Sequence, residues 1–343
     1  MPALTLAICG CPVLISASSP RLIRLFADYF SYYNPQHFSA TVQHSSSAEK
    51  LSALKIELKM CDLLPRRETI IPADAQLFSQ TGVVSLWSDK KTEGNARRFY
   101  FHLGTAAFLV DVGSGEAVGL VTPQAMQYPH ILANTYALFA LLLMLRSRRL
   151  YHLHAAAIVS PNDELWLICG AQRAGKTTLT TALGLAGWRP VSDDSLLVGN
   201  DENFAWLTPL KKYFHISDEL LSLWPSLAGI TRHHQYLDRT CVGGLEFFKT
   251  LDLAETKFRK IDHIVLPQIV GEQTSRIEAL SPGQALLRLA EQSMFFQLWR
   301  DHTANQWQWL NELAAKSRCH SFFSATDLMN DPQTAARVLG KLP

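Results

Sequence analysis

The stretch Leu165-Trp-Leu-Ile-Cys169 runs directly into Gly170-Ala-Gln-Arg-Ala-Gly175-Lys176-Thr177, which matches the pattern G-x-x-x-x-G-K-[ST]. Five consecutive apolar residues before the first glycine predict a buried strand. The residues that follow predict a helix over 177–186, with Gly187 as its left-handed cap. A strand, a glycine-containing loop and a helix in this order predict an α/β fold built around a phosphate-binding loop.

Each residue type in this loop has a chemical reason to be there. Glycines let backbone N–H groups close around phosphate oxygens, and the N-terminus of the following helix adds about half a positive charge. Lys176 is expected to neutralise the β- and γ-phosphates of a nucleotide, and Thr177 offers a hydroxyl to Mg²⁺. The candidate nucleotide-binding residues are Gly170, Ala171, Gln172, Arg173, Ala174, Gly175, Lys176, Thr177 and Thr178.

A pair of carboxylates follows the predicted loop at short range. Asp193 and Asp194 stand in the segment Ser192-Asp-Asp-Ser195, and Asp193 is 17 residues after Lys176. By itself an Asp-Asp pair is typical of a turn or a helix cap. Beside a phosphate loop, one carboxylate can hold Mg²⁺ while the other accepts a proton from an attacking hydroxyl. The spacing is much shorter than that of most ATPases and GTPases, and it favours a different kind of enzyme.

A histidine lies close to the start of the strand that precedes the loop strand. His154 occurs in Tyr151-His-Leu-His154-Ala155. A lone strand histidine is more often structural than functional. If neighbouring strands bring it beside the Asp pair, it can hydrogen-bond the base and tune its pKa.

Taken together, these motifs resemble those of the HPr kinase/phosphorylase family and its relatives, which include kinases of lasso-type ribosomal peptides. The resemblance covers about residues 149–200 and more loosely the rest of the C-terminal half. It implies a core like the nucleotide domain of phosphoenolpyruvate carboxykinase. It also implies that Lys176 and its loop hold ATP, that Thr177 and Asp194 hold Mg²⁺, and that Asp193 is the general base, steadied by His154.

The chain departs from this family downstream. A Glu-x-Arg-Gly-x-Gly signature is missing from the sequence, and Thr208-Pro-Leu-Lys-Lys212 stands in the corresponding region. The departure argues against HPr as substrate and against the phosphorolysis reaction. Four basic residues are candidates to contact the acceptor or the transferred phosphate: Lys211, Lys212, Arg232 and Arg239.

The composition excludes several classes of protein. The 343 residues are 48% hydrophobic and 18% charged, which excludes a disordered polyelectrolyte, and a formal net charge of +2 does not indicate a nucleic-acid binder. The six cysteines form no repeated C-x-x-C pair, so neither a disulfide framework nor a zinc ribbon is predicted. The apolar run 131–145 predicts a buried helix, because it is shorter than the roughly 20 residues that cross a bilayer. We expect a cytoplasmic protein without membrane or nucleic-acid partners.

The change of hydrophobic pattern along the chain predicts two domains. Residues 1–148 alternate in short runs that predict an α+β domain, mostly sheet, with a helix at 20–29. Residues 149–343 are expected to form an α/β catalytic domain with a mixed sheet around the phosphate loop. Within it, Ser281 and Pro282 predict the cap and first turn of a helix.

These expectations together predict an ATP- and Mg²⁺-dependent kinase that phosphorylates a hydroxyl. The resemblance favours Ser or Thr of a peptide or small protein as the acceptor, with a homo-oligomer as a possible assembly. Two alternatives stay open from the sequence. One is a kinase of a small metabolite, and the other is a regulatory or assembly subunit that binds ATP without transferring phosphate.

Overall fold

The protein has a mixed α/β fold, which divides into two units. The first unit comprises Met1–Leu150 and Gln297–Thr303, and the second comprises Tyr151–Phe296 and Ala304–Pro343. The computed structural model describes residues 1–9, 11–30, 52–81, 84–89, 98–102, 104–200, 205–210, 213–236, 239–248, 260–293 and 300–341.

The first unit is built on an eight-stranded sheet in the order β1-β2-β3-β8-β7-β6-β5-β4. Its strands are β1 Ala3–Ile8, β2 Cys11–Ala17, β3 Leu54–Met60, β4 Gln76–Thr81, β5 Val84–Ser88, β6 Arg98–His102, β7 Ala106–Asp111 and β8 Glu116–Val121. Its helices are α1 Pro20–Phe30, α2 Arg67–Ile70, α3 Pro129–Ile131 and α4 Leu138–Arg146, with a 3₁₀ turn at Ala125–Gln127 and a π-helical segment at Leu132–Ala137.

Local sequence patterns account for much of this unit. Burial alternates strictly along β2, as the alternating apolar residues predict, and β1 and β2 form an antiparallel hairpin. The apolar run at 131–145 is helical, but its first part, Leu132–Ala137, is π-helical and not α-helical. Helix α4, which follows, is almost wholly buried. Among the described helices, none combines the length and the apolar character that a membrane span requires.

The second unit contains the predicted loop. Its strands are β9 Tyr151–Leu153, β10 Ala155–Val159, β11 Leu165–Cys169, β12 Arg189–Ser192, β13 Leu196–Asn200, β14 Ala205–Pro209, β15 Phe214–Ser217, β16 Arg232–Tyr236, β17 Arg239–Val242, β18 Ile261–Ile269, β19 Arg276–Ala279 and β20 Arg318–Ser324. Its helices are α5 Lys176–Leu185, α6 Asp218–Leu223, α7 Gly244–Phe247, α8 Pro282–Glu291, α9 Arg300–Lys316, which begins in the first unit, α10 Thr326–Asn330 and α11 Gln333–Leu339, with a 3₁₀ turn at Pro225–Leu227.

A six-stranded mixed sheet positions the loop. Its order is β12-β10-β11-β18-β20-β19, and β11 is antiparallel to β10 but parallel to β18. Each face of this sheet covers a separate apolar core. The core on one face contains Leu179 and Leu183 of α5 together with Ile168 of β11. Two three-stranded sheets, β14-β13-β9 and β15-β17-β16, complete the unit.

Candidate functional site

The predicted loop joins β11 to α5, as its sequence indicates. Gly175 is the N-cap of α5 and has a φ of +97°, a left-handed conformation that strains any residue with a side chain. Arg173 also has a positive φ, of +66°. At Gly170 a Cβ would lie 3.2 Å from the Cβ of Ala174, so the loop is tightly wound there. Ala171, Gln172 and Arg173 are exposed, while Lys176 is buried.

Lys176 projects back across the loop. Its Nζ donates hydrogen bonds to the carbonyl oxygens of Gly170 at 2.8 Å and Ala171 at 3.1 Å, and it lies 3.0 Å from Nε2 of His154. Burial lowers the pKa of Lys176, and the carboxylate of Asp194 acts in the opposite direction. The two carbonyls and the imidazole thus hold the ammonium group beside the loop, and a phosphate oxygen can replace them as acceptors.

His154 connects the lysine to the Asp pair. Its Nδ1 lies 2.8 Å from Oδ1 of Asp194. Because an ammonium group only donates, Nε2 of His154 accepts from Lys176, and we assign the ring proton to Nδ1, where it is donated to Asp194. The family resemblance implies that His154 steadies Asp193; in the structure the ion-pair partner of His154 is the adjacent carboxylate, Asp194.

Strand register explains why His154 reaches Asp194. Residues 151–159 pair with two different strands on either side of the Asp pair: Leu153 is opposite Leu196, and Ala157 is opposite Ser192. His154 lies between these two pairs, and its backbone N–H donates to the carbonyl of Gln292 at 2.9 Å. The segment that crosses from one sheet to the other thus carries the histidine past the carboxylates.

Asp193 is held by a different part of the unit. It is 1% exposed, and its Oδ2 accepts a hydrogen bond of 2.8 Å from the backbone N–H of His215 in β15. The hydroxyl of Ser192 donates to the carbonyl of Ser195 at 3.1 Å and closes the turn that carries the pair. The two carboxylates therefore have distinct surroundings, since Asp193 is buried and Asp194 is partly exposed.

One polar contact beside the pair is not predicted by the sequence. Nε2 of His152 lies 2.9 Å from Oγ of Ser195, and both side chains are buried. His152 lies in β9 and His154 just beyond its end, so this contact depends on how β9 pairs with β13, and no pattern within the sequence predicts it.

The four basic residues predicted to contact the acceptor or the phosphate differ in where they lie. Arg239 is half-buried in β17, opposite Ser217 of β15, and its charge contributes to lowering the pKa of Lys176. Arg232 in β16 is exposed. Lys211 and Lys212 lie outside the described residues. Of the two described candidates, Arg239 is therefore the one whose charge acts on the loop lysine.

Hydroxyl and carboxylate oxygens near the loop are the candidate ligands of a cation. Within the described ranges, no three or more His, Cys, Asp or Glu side chains cluster in a way that would hold a metal ion. Thr177 and Thr178 are half-buried in the first turn of α5. Burial raises the pKa of Cys169, at the end of β11, to about 12, which favours the protonated thiol. No disulfide bond joins any of the six cysteines, all of which lie among the described residues.

No protein-family model matches the chain, and a search of curated proteins found no match.

Proposed function

We propose that this chain is an ATP- and Mg²⁺-dependent phosphotransferase of the HPr-kinase-like type, which transfers the γ-phosphoryl group to a hydroxyl. The observation that carries the proposal is the hydrogen-bonded series from the loop carbonyls through Lys176 and His154 to Asp194. It joins the residue expected to bind phosphate to a carboxylate expected to act in catalysis. A turn with an incidental lysine would not require this connection.

The loop and α5 supply the phosphate site. Helix α5 has ten residues, so its unpaired N-terminal N–H groups and its dipole favour an anion at Gly175. Lys176 adds a full positive charge at the same place, where it now rests on two loop carbonyls. Binding a triphosphate exchanges those neutral acceptors for charged oxygens, which form stronger hydrogen bonds.

The oxygen donors fit Mg²⁺, which prefers hydroxyl, carboxylate and phosphate oxygens. Thr177 in the first turn of α5 and the partly exposed Asp194 are the residues that would hold it. When bound, Mg²⁺ supplies charge neutralisation for the β- and γ-phosphates. His154, hydrogen-bonded to Asp194, keeps that carboxylate oriented towards the loop.

Asp193 is the proposed general base. The backbone N–H of His215 occupies one of its oxygens and fixes the plane of the carboxylate. In the reaction the acceptor hydroxyl oxygen attacks the γ-phosphorus, its proton passes to Asp193, and the bond to the β-phosphate oxygen breaks to release ADP. The positive charges of Lys176 and Arg239 stabilise the charge that develops on the transferring group.

The acceptor that we favour is a Ser or Thr hydroxyl of a peptide or small protein. The support for this choice is the resemblance of residues 149–200 to kinases of ribosomal peptides. A small metabolite with a hydroxyl would meet the same base and the same phosphate site. The residues of the site therefore do not distinguish a peptide acceptor from a small metabolite, and a transfer assay is needed to do so.

The test is transfer of label from γ-³²P-ATP in the presence of Mg²⁺, with peptides encoded beside this chain's gene and a panel of small hydroxyl compounds as acceptors. Asp193→Asn should abolish transfer and leave ATP affinity within about threefold of wild type, because the variant keeps the shape of the side chain. Asp163→Asn, the same substitution at an exposed turn of this unit, should leave transfer unchanged.

Each outcome separates one alternative. Label on a small hydroxyl compound instead of a peptide would establish a metabolite kinase. Tight ATP binding without any transfer would favour a regulatory subunit and refute the phosphotransferase. Full transfer by Asp193→Asn would refute the assignment of the base.

A further inference from the structure

Ile269 is an exposed apolar residue on the rim of the predicted phosphate loop. It ends β18, the strand that runs parallel to β11, and 67% of its surface is accessible. Its Cγ1 lies 3.5 Å from the point that a Cβ at Gly175 would occupy. An aliphatic side chain so close to the start of α5, yet so exposed, is available to an apolar ligand group.

The direction of Ile269 follows from strand alternation. Val265 and Ile269 are four residues apart in β18 and therefore project from the same face of the sheet. Val265 belongs to the core that contains Leu179 and Leu183 of α5. Ile269 thus lies on the α5 face, beyond the end of that core and beside the N-cap of the helix.

The catalytic carboxylates lie on the opposite flank of the loop. Asp193 and Asp194 follow β12, which is separated from β11 by β10, whereas β18 is the neighbour of β11 on the other side. Three strand spacings from β12 to β18 amount to roughly 14 Å. A linear nucleotide with its γ-phosphate at the Asp pair has its nucleoside directed away from that pair, towards the flank of Ile269.

We propose that Ile269 is a nucleoside-binding residue that packs against the apolar surface of the bound nucleotide's base or ribose and sets its orientation across the loop. This inference rests on the proposed nucleotide function. It assigns the β18 flank to the leaving ADP group and the β10–β12 flank to the reacting γ-phosphate. The contact is made by apolar atoms, so it discriminates a nucleotide from a bare polyphosphate.

The experiment measures the affinities of the full-length chain for ATP, ADP and inorganic tripolyphosphate in the presence of Mg²⁺. Ile269→Ala should weaken ATP and ADP binding about fivefold, the effect of roughly one lost buried methylene contact, and leave tripolyphosphate binding unchanged. Leu287→Ala is the matched control, since Leu287 of α8 is also an exposed aliphatic residue, 58% accessible. It should change none of the three affinities.

Two results would overturn the inference while leaving the proposed function intact. Equal weakening of tripolyphosphate binding would mean that Ile269 only supports the loop, and unchanged ATP and ADP affinities would mean that the nucleoside lies elsewhere. A wild-type chain that binds neither ATP nor tripolyphosphate would instead refute the phosphate site itself. Thermal unfolding of Ile269→Ala checks that the exposed substitution leaves the fold intact.

Discussion

The two glycines at the ends of α5 allow a matched test of the loop. Gly175 precedes the helix with a φ of +97°, and Gly187 follows it with a φ of +89°. At Gly175 the nearest atom to an added Cβ is Cγ1 of Ile269 at 3.5 Å, an ordinary contact, and at Gly187 nothing lies within 4 Å. Alanine at either position therefore strains the backbone without a steric clash.

The strain of an L-residue in this conformation is about 1–2 kcal/mol. Both Gly175→Ala and Gly187→Ala should lower the free energy of unfolding by about this amount, a fall in Tm of ~2–8 °C for a domain of this size. Only Gly175→Ala should also weaken ATP binding. The strain at position 175 should displace a backbone N–H of the loop from its phosphate oxygen. Losing one such hydrogen bond to a charged phosphate is worth about 1.5–3 kcal/mol, which is a factor of about 10–100 in Kd.

Chemical denaturation gives the stabilities, and isothermal titration with ATP and Mg²⁺ gives the affinities. Because the two variants share the same backbone penalty, any difference in ATP affinity is attributable to the loop. Gly175→Ala with wild-type affinity, or Gly187→Ala with an equal loss of affinity, would rule out a specific role of Gly175 in binding phosphate.

Three further predictions concern different parts of the molecule. Burial, aided by the adjacent ring of His263, lowers the pKa of His320 to about 4. The unfolded chain therefore binds a proton here that the folded chain refuses, and stability falls by about 3 kcal/mol as pH drops from 6.5 to 4. Urea unfolding at the two pH values should show a smaller fall for His320→Gln, and an identical fall would contradict the argument. His154→Gln should reduce phosphoryl transfer at least tenfold while Kd for ATP changes less than threefold, as judged by kinetics and titration; equal losses in both would make the histidine a binding residue. Gly119→Ala places a Cβ 2.6 Å from Cε1 of Phe108 and should lower the free energy of unfolding by about 1–3 kcal/mol. Wild-type stability of that variant in denaturant would contradict the packing of the first unit.

Local patterns in the sequence predicted the elements that carry the loop. The apolar run before Gly170 is β11 with the predicted bounds, and α5 begins one residue before the predicted start. At Ser281 the structure confirms the predicted helix start, with a complete capping box that includes Gln284. These features depend on residues that are close together in the chain, so a single sequence contains the necessary information.

Patterns within the sequence did not predict the contacts between segments that are distant in the chain. The bond between His154 and Asp194 depends on the register by which residues 151–159 pass from one sheet to another. The hydrogen bond from the His215 backbone to Asp193 depends on where β15 is placed. A shift of one residue in either pairing would turn these side chains to the opposite face. Periodicity within a segment does not determine its register with another segment.

Hydropathy did not predict the break in the apolar helix of the first unit. The run at 131–145 predicts one continuous buried helix, but Leu132–Ala137 is π-helical. Apolar residues satisfy the burial requirement in either helix type, so hydropathy alone does not distinguish them.

A crystal structure of the full chain with a non-hydrolysable ATP analogue and Mg²⁺ would show whether the 170–175 loop binds nucleotide. We expect the β- and γ-phosphates to lie within this loop and Nζ of Lys176 to leave the carbonyl of Gly170 for a phosphate oxygen. We also expect the γ-phosphate to point towards Asp193 and Asp194. An analogue bound elsewhere, with Lys176 still on the loop carbonyls and His154, would rule out the proposed nucleotide site.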